Sequence, residues 1–141
     1  MNLIQQLKEY IQAELNDSAL YRELSKNAPA QDAKLLQEFS ADELRHAREF
    51  QGILASMTGC KFSPEVRVNI PKGSYRDILL DRVLDESGDF RKYGQQYLIT
   101  CQNDCLRDIF FRAHLDEGVH AMRLLAMAAA QDMCESENEK Y

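Results

Sequence analysis

The feature that most constrains the fold of this chain is an internal repeat of polar and aromatic residues. Glu14, Asp17 and Tyr21 recur 72 positions later, and a second group beginning at Asp42 recurs 74 positions later. The repeated pairs are Glu14 and Glu86, Asp17 and Asp89, Tyr21 and Tyr93, Asp42 and Asp116, Glu43 and Glu117, His46 and His120, and Ala47 and Ala121. One set occurs in each half, so the sequence predicts a duplicated helical hairpin with one set of candidate ligands per half, the two sets forming one two-metal site.

The spacing of the apolar residues predicts four amphipathic helices. Each quarter of the chain places them at alternating steps of three and four, which is the inward-facing line of a helix in a bundle. The predicted lines are Leu3, Leu7, Tyr10, Glu14, Asp17, Tyr21 and Leu24; Leu36, Phe39, Glu43, His46, Phe50, Ile53 and Met57; Leu79, Glu86, Asp89 and Tyr93; and Leu106, Phe110, Ala113, Glu117, His120, Leu124 and Met127. Two residues of metal-ligand type interrupt the middle of every line.

Carboxylates in these inward lines require compensating positive charge. Burying one unpaired carboxylate costs several kcal/mol even after relaxation, and up to six would lie together here. The alternative to a metal site is a buried ion network, but the basic residues near these positions are Arg45, Arg82 and Arg123, too few to neutralise the carboxylates. The sequence therefore favours bound metal ions.

Local signals place the helix ends. The first helix is predicted from about residue 3 to 27, before Pro29, and the second from about 30 to 58, before Gly59. Ser74 and Asp77 form a candidate capping box for the third, which reaches about residue 101. The fourth is predicted to be capped by Asn103 or Asp104 and to end near residue 134.

The segment 59–73 is long enough to cross the whole molecule. Fully extended, its residues reach about 50 Å, whereas the second helix is about 42 Å long. The third helix can therefore start parallel to the second, in a single all-α domain, 1–141, built from hairpins at about 3–58 and 74–134. The same reach also allows the second hairpin to swap into a partner subunit.

These motifs resemble the ferritin-like di-iron carboxylate proteins, and specifically the rubrerythrin-like branch, over nearly the whole chain. The motifs are Glu14 with Tyr21, Glu43-x-x-His46, Glu86 with Tyr93, and Glu117-x-x-His120. The resemblance implies a ferritin-like four-helix bundle with a long crossover between helices 2 and 3, and a cofactor of two iron ions. By resemblance, Glu43 and Glu117 bridge or chelate the metals, Glu14 and Glu86 are the paired ligands, and His46 and His120 bind one ion each. Manganese accepts the same ligands.

Two departures from the family pattern matter. Rubrerythrins have an additional glutamate three residues after the ligand on helix 3, where this chain has the shorter Asp89, with Asp17 as its counterpart on helix 1. If Asp89 takes the role of that glutamate, it takes part in the redox reaction that the resemblance implies. The family's usual rubredoxin domain is absent from this sequence, so an external electron donor such as a rubredoxin-like protein is implied.

Several residues around the predicted ligands have two possible roles. Asp42 and Asp116 are expected to accept the second N–H of His120 and His46, respectively, or else to be solvated helix residues. Tyr21 and Tyr93 either hydrogen-bond ligand carboxylates and donate protons or electrons, or are core aromatics. Gly88 and Gly118 leave room for close packing or for a small oxidant, and the following residues receive no role in the site: His114, Cys60, Cys101, Cys105 and Cys134.

Composition excludes other classes of function. The net charge of −6 and a pI near 5.1 argue against nucleic acid or an anionic membrane surface as the partner. No apolar run approaches a membrane span, and the amphipathic N-terminus is not a signal peptide, so a cytoplasmic protein is expected.

The resulting hypothesis is an enzyme, a di-iron oxidoreductase that reduces hydrogen peroxide as rubrerythrins do. The alternatives are an oxygen-reducing ferroxidase, an iron-binding or storage protein, and a metal-free helical interaction module. Storage requires a hollow shell, and this chain has no extra helix for building one, so we expect a homodimer.

Overall fold

The computed structural model describes residues 1–138, except for the side chains of 134–138, and contains four helices in that range. They are α1 (Leu3–Ser25), α2 (Ala30–Thr58), α3 (Tyr75–Ile99) and α4 (Asp104–Asn138). The described residues include no strand, so the predicted all-α class is confirmed. None of the described helices is apolar enough over a sufficient length to span a lipid bilayer.

The helix ends follow the predicted signals, with one clear exception. Gly59 ends α2 in the left-handed conformation at φ 76°, and Ser74 and Asp77 form the predicted capping box of α3. Asn103 caps α4, since its side chain accepts a hydrogen bond of 3.0 Å from the backbone of Leu106. The predicted end of α4 near residue 134 is wrong, because the helix continues to Asn138. No proline or glycine interrupts this alanine-rich stretch.

The chain divides into two compact units, Met1–Ile70 and a second unit that begins at Pro71. In the first, α1 and α2 form an antiparallel hairpin, because Tyr10 contacts Phe50 while Tyr21, further along α1, contacts the earlier Phe39. In the second, α3 and α4 are antiparallel as well. Glu86 lies beside His120, whereas Tyr97, eleven residues later, contacts Phe111. The predicted duplication of a helical hairpin therefore matches the structure of each half.

The inward lines hold at most central positions, although Asp17 and Asp89 are half-buried, and they drift off the core face at the ends. Every residue of the line predicted for α4, from Leu106 to Met127, is buried. Leu3 and Met57, at the outer ends of α1 and α2, are instead 36% and 43% exposed, and Leu54 is buried next to the half-buried Ile53. A straight helix has 3.6 residues per turn, so a 3.5-residue pattern rotates off the core face over several turns.

The segment after α2 runs back along the first hairpin. Its contacts pair Phe62 with Lys8, Glu65 with Gln12, and Arg67 with Asn16. The last two are hydrogen bonds of 2.8 and 2.9 Å. The partners on α1 advance from residue 8 to 16, which is the direction that the predicted crossover requires. The ferritin-like arrangement of the two hairpins stays a prediction.

Candidate metal centre

The first hairpin buries a cluster of three predicted ligands, which we call the first half-site. Glu14 comes from α1, and Glu43 and His46 come from one face of α2, three residues apart. Each of the three is at most 1% exposed. The Nδ1 atom of His46 lies 3.7 Å from Oε2 of Glu14 and 3.8 Å from Oε2 of Glu43. One ligand atom from each residue lies within 4.8 Å of the others.

The second hairpin buries the equivalent cluster, which we call the second half-site. Glu86 comes from α3, and Glu117 and His120 come from α4. These side chains are also at most 1% exposed, and Nδ1 of His120 lies 3.8 Å from Oε2 of Glu86. One ligand atom from each of the three again lies within 4.8 Å of the others. The structure thus brings together, within each half, the three residues that the repeat selects.

The donor set of each half-site fits a divalent metal ion. Oxygen and nitrogen ligands bind such ions at about 2.0 to 2.2 Å, so two ligands of one ion are separated by roughly 3 to 4 Å. The histidine-to-carboxylate distances of 3.7 and 3.8 Å fall in that range. Two carboxylates and one imidazole suit iron, manganese or zinc. Each cluster could therefore hold a metal ion, whose charge would offset the buried carboxylates.

The second half-site also contains a buried arginine. The Arg82 side chain is 5% exposed, and its Nη2 atom lies 3.6 Å from Oε1 of Glu86. Its Nη1 atom donates a hydrogen bond of 2.7 Å to Asp85. Burial raises the pKa of Glu86, but hydrogen bonds with Glu117 and His120 and the charges of His120 and Arg82 outweigh burial and lower this pKa to about 2. Glu86 is therefore a carboxylate at neutral pH.

Sequence reasoning did not assign Arg82 to the inward line of α3. Its position could have been found from the repeat, because Arg82 lies 72 residues after Tyr10, the same offset that relates Glu14 to Glu86. Tyr10 is a core residue whose ring packs 5.7 Å from that of Phe50. The two half-sites therefore have the same ligands but different neighbours one helical turn away.

Tyr21 and Tyr93 are fully buried in their hairpins. The ring of Tyr21 meets Phe39 edge to face at 5.6 Å, and the ring of Tyr93 stacks on Phe110 at 6.1 Å. Both tyrosines therefore pack as core aromatics. Their proposed role in proton or electron transfer stays a prediction.

The aspartates of the repeat lie beside the half-sites instead of within them. Asp89 is 21% exposed and binds Lys92 at 2.9 Å, and Asp42 is 30% exposed and lies 3.3 Å from Arg45. Asp17 and Asp116 are half-buried. None of these four aspartates belongs to the metal-ligand clusters found among the described residues. Their predicted roles stay predictions.

His114 and Gly118 both pack against Phe90. The Nδ1 atom of His114 lies 2.7 Å from the carbonyl oxygen of Phe90, and because a carbonyl only accepts hydrogen bonds, Nδ1 carries the donated hydrogen. A Cβ atom on Gly118 would lie 2.8 Å from the Phe90 ring, whereas a Cβ on Gly88 would meet open space. Gly118 therefore permits close packing of α3 and α4.

The three cysteines whose side chains are described are separate from both half-sites. Cys60, Cys101 and Cys105 carry exposed free thiols, and the side chain of Cys134 lies outside the described residues. The metal-ligand clusters of the described residues contain none of these thiols.

Comparisons with known proteins find a relative but no assigned family. No family model matches the chain, and no solved structure matches it. The uncharacterized protein YhjR of Bacillus subtilis (strain 168) is 28% identical to it over 124 residues, covering 87% of this chain and 84% of YhjR. That name states no activity, so the chemistry of the two half-sites carries the functional conclusion.

Proposed function

We propose that the two half-sites combine into one carboxylate-bridged di-iron centre, and that the protein is a rubrerythrin-like oxidoreductase that reduces hydrogen peroxide. The observation that carries the proposal is the buried Glu–Glu–His cluster, which occurs once in each hairpin at repeat-equivalent positions. Four glutamates balance two divalent ions in charge. This balance offsets a burial that would otherwise cost several kcal/mol per carboxylate.

The six ligands have distinct roles in this proposal. Glu43 and Glu117 would be shared between the two ions, and each of the other four would hold one ion: Glu14, His46, Glu86 and His120. Both imidazoles direct Nδ1 towards a carboxylate of their half-site, so Nδ1 would hold the ion and Nε2 would carry the hydrogen. Asp42 and Asp116 are candidate acceptors for those two N–H groups and would fix the tautomers.

Bound iron would supply the two electrons that cleavage of the O–O bond requires. The chain's own contribution is a water-poor site whose ligands are almost fully buried. In this proposal Tyr21 and Tyr93, two turns from Glu14 and Glu86, would hold or donate protons. Asp89, which pairs with Lys92 at 2.9 Å, would do the work of the additional glutamate of rubrerythrins.

We further propose that the protein is a homodimer and receives electrons from an external donor such as a rubredoxin-like protein. Apolar side chains exposed along α4 support self-association, since Phe111, Leu115 and Met122 are 42%, 48% and 66% exposed. A size measurement by light scattering is expected to give a dimer. A hollow multimer that accumulates hundreds of iron ions would support storage instead.

Stopped-flow absorbance of the reduced, iron-loaded protein tests the proposed reaction. We expect oxidation by stoichiometric hydrogen peroxide to be much faster than oxidation by dissolved oxygen, with repeated turnover only after an external donor is added. Asp89→Ala is expected to retain both ions and to slow oxidation. Faster reaction with oxygen would favour the ferroxidase alternative, and no reaction with either oxidant would contradict a redox role.

A further inference from the structure

The two half-sites differ in fixed charge. Among the residues whose burial is described, Arg82 is the only arginine or lysine buried in the core. It lies in the second hairpin, where the repeat-equivalent position of the first hairpin holds the uncharged Tyr10. A guanidinium group does not lose its proton in proteins. The positive charge beside Glu86 is therefore present whether or not a metal ion is bound.

The geometry places Arg82 in competition with a metal ion. Its Nη2 atom lies 3.6 Å from Oε1 of Glu86, while Oε2 of the same carboxylate lies 3.8 Å from Nδ1 of His120. One carboxylate thus faces a guanidinium on one side and the half-site on the other. An ion at the second half-site shares Glu86 with Arg82 and is also repelled by its charge.

We propose that Arg82 makes the two metal positions unequal, so that the first half-site binds a divalent ion more tightly and fills first. This inference rests on the proposed metal centre. A unit charge about 6 Å from a divalent ion, even when screened as in a typical protein site, changes the affinity at least about tenfold. Arg82 acts through Glu86 and is a positioning residue.

Asp85 provides a second partner that moderates this effect. Its carboxylate is 57% exposed and accepts the 2.7 Å hydrogen bond from Nη1 of Arg82. Arg82 therefore keeps one carboxylate partner when an ion takes Glu86. Removal of the Asp85 charge leaves Arg82 more dependent on Glu86 and makes the second half-site weaker still.

The test is a titration of the metal-free full chain with Mn²⁺, with free Mn²⁺ followed by electron paramagnetic resonance. The wild type is expected to show two binding steps that differ at least about tenfold in dissociation constant. Arg82→Met is expected to tighten the second step by a similar factor, whereas Arg82→Lys retains the gap. Glu14→Gln should remove the tighter step, since Glu14 belongs to the first half-site.

A matched control distinguishes the effect of a positive charge beside Glu86 from the effect of a positive charge elsewhere on α3. Arg76 lies on α3, is 37% exposed and pairs with Asp132, so Arg76→Met removes the same charge away from Glu86 and is expected to bind like the wild type. If circular dichroism shows that Arg82→Met does not fold, Asp85→Asn replaces it as the deciding variant, with a weaker second step expected.

The outcomes distinguish this inference from the proposed function. Three results overturn the inference and leave a two-metal centre standing. They are two wild-type steps of equal affinity, an unchanged second step in folded Arg82→Met, and loss of the weaker step in Glu14→Gln. An unchanged second step in Asp85→Asn, should that variant have to decide, overturns it as well. Failure of the wild type to bind Mn²⁺ overturns both.

Discussion

The two hairpins hold the same candidate ligands, but the two helices within each hairpin cross through different contacts. In the first, Ser18 and Ser40 join α1 to α2, each hydroxyl donating a 2.7 Å hydrogen bond to the backbone carbonyl of the other. The equivalent residues of the second hairpin are Phe90 and His114, whose rings stack at 4.2 Å. Their link between the helices is the 2.7 Å hydrogen bond from His114 to the Phe90 carbonyl.

Small residues on the neighbouring turns accommodate the larger pair. Phe90 lies against Gly118, where the first hairpin has Leu44, and His114 lies against Gly94, where the first hairpin has Arg22. A Cβ on either glycine would lie 2.8 Å from the facing ring. A duplicated hairpin can therefore exchange its packing residues while the ligand clusters one turn away retain one geometry.

Loss of a central glutamate tests whether both halves are metal sites, and we expect the largest effect there. Glu43→Gln and Glu117→Gln each remove the charge of a fully buried candidate ligand. Metal affinity should fall by more than the roughly 10- to 100-fold lost when an outer-shell partner is removed, and oxidation by peroxide should cease. Equilibrium dialysis followed by elemental analysis measures this. Glu49→Gln, which alters a partly exposed partner of Arg45, is the control. If only one of the two glutamine variants loses metal binding, only one hairpin is a metal site.

Acid stability probes the charge state of Glu86 in the second half-site. The pKa of Glu86 is lowered from 4.5 to about 2, so in metal-free protein its carboxylate stabilises the fold above about pH 4.5 and loses that effect as the pH falls to 2. Such a shift corresponds to about 3 kcal/mol in the free energy of unfolding. Urea unfolding at several pH values should show a smaller loss for Glu86→Gln than for the wild type. The exposed Glu9→Gln should behave like the wild type, and an equal loss in Glu86→Gln would contradict the assignment.

The packing difference predicts opposite effects for two glycine substitutions. Gly118→Ala places a Cβ 2.8 Å from the Phe90 ring, and we expect a loss of about 1 to 2 kcal/mol in the free energy of unfolding. Gly88→Ala faces open space and should gain up to about 1 kcal/mol from helix propensity. Urea unfolding of both variants checks this, and a stabilised Gly118→Ala would contradict the close packing.

The serine pair of the first hairpin gives the smallest predicted effect. Ser40→Ala removes one of the two reciprocal hydrogen bonds and should lower the free energy of unfolding by about 1 kcal/mol. Ser56→Ala, which removes a local hydrogen bond of an exposed serine on the same helix, is the control in the same urea series. Equal values for the two variants would show that the serine bridge does not stabilise the helix crossing.

The sequence predicted the helices well because their ends carry local signals. Pro29, Gly59 and the Ser74–Asp77 capping box act within one turn, so neighbouring residues suffice to identify them. The six candidate ligands were identified because the repeat duplicates them at fixed offsets. These are the parts of the fold and the site that depend least on long-range packing.

Other features could not be predicted because they depend on which neighbour a side chain meets. The structure pairs Asp89 with Lys92, a partner that the repeat does not identify. Arg82 lies in the core because Asp85 and Glu86 provide partners for both ends of its guanidinium group. Hydrophobic pattern alone assigns an arginine to the surface. The role of Gly118 could not be predicted because it depends on the Phe90 ring, which packs directly against this glycine.

The most direct test of the two-metal account is anomalous diffraction at the iron edge from crystals of the iron-loaded protein, combined with elemental analysis of the same sample. The account predicts two iron ions per chain, one bound by Nδ1 of His46 with Glu14 and the other by Nδ1 of His120 with Glu86. Manganese-loaded crystals measured at the manganese edge should show the same two positions. Zero or one ordered ion per chain, or ions bound away from the six side chains, would contradict it.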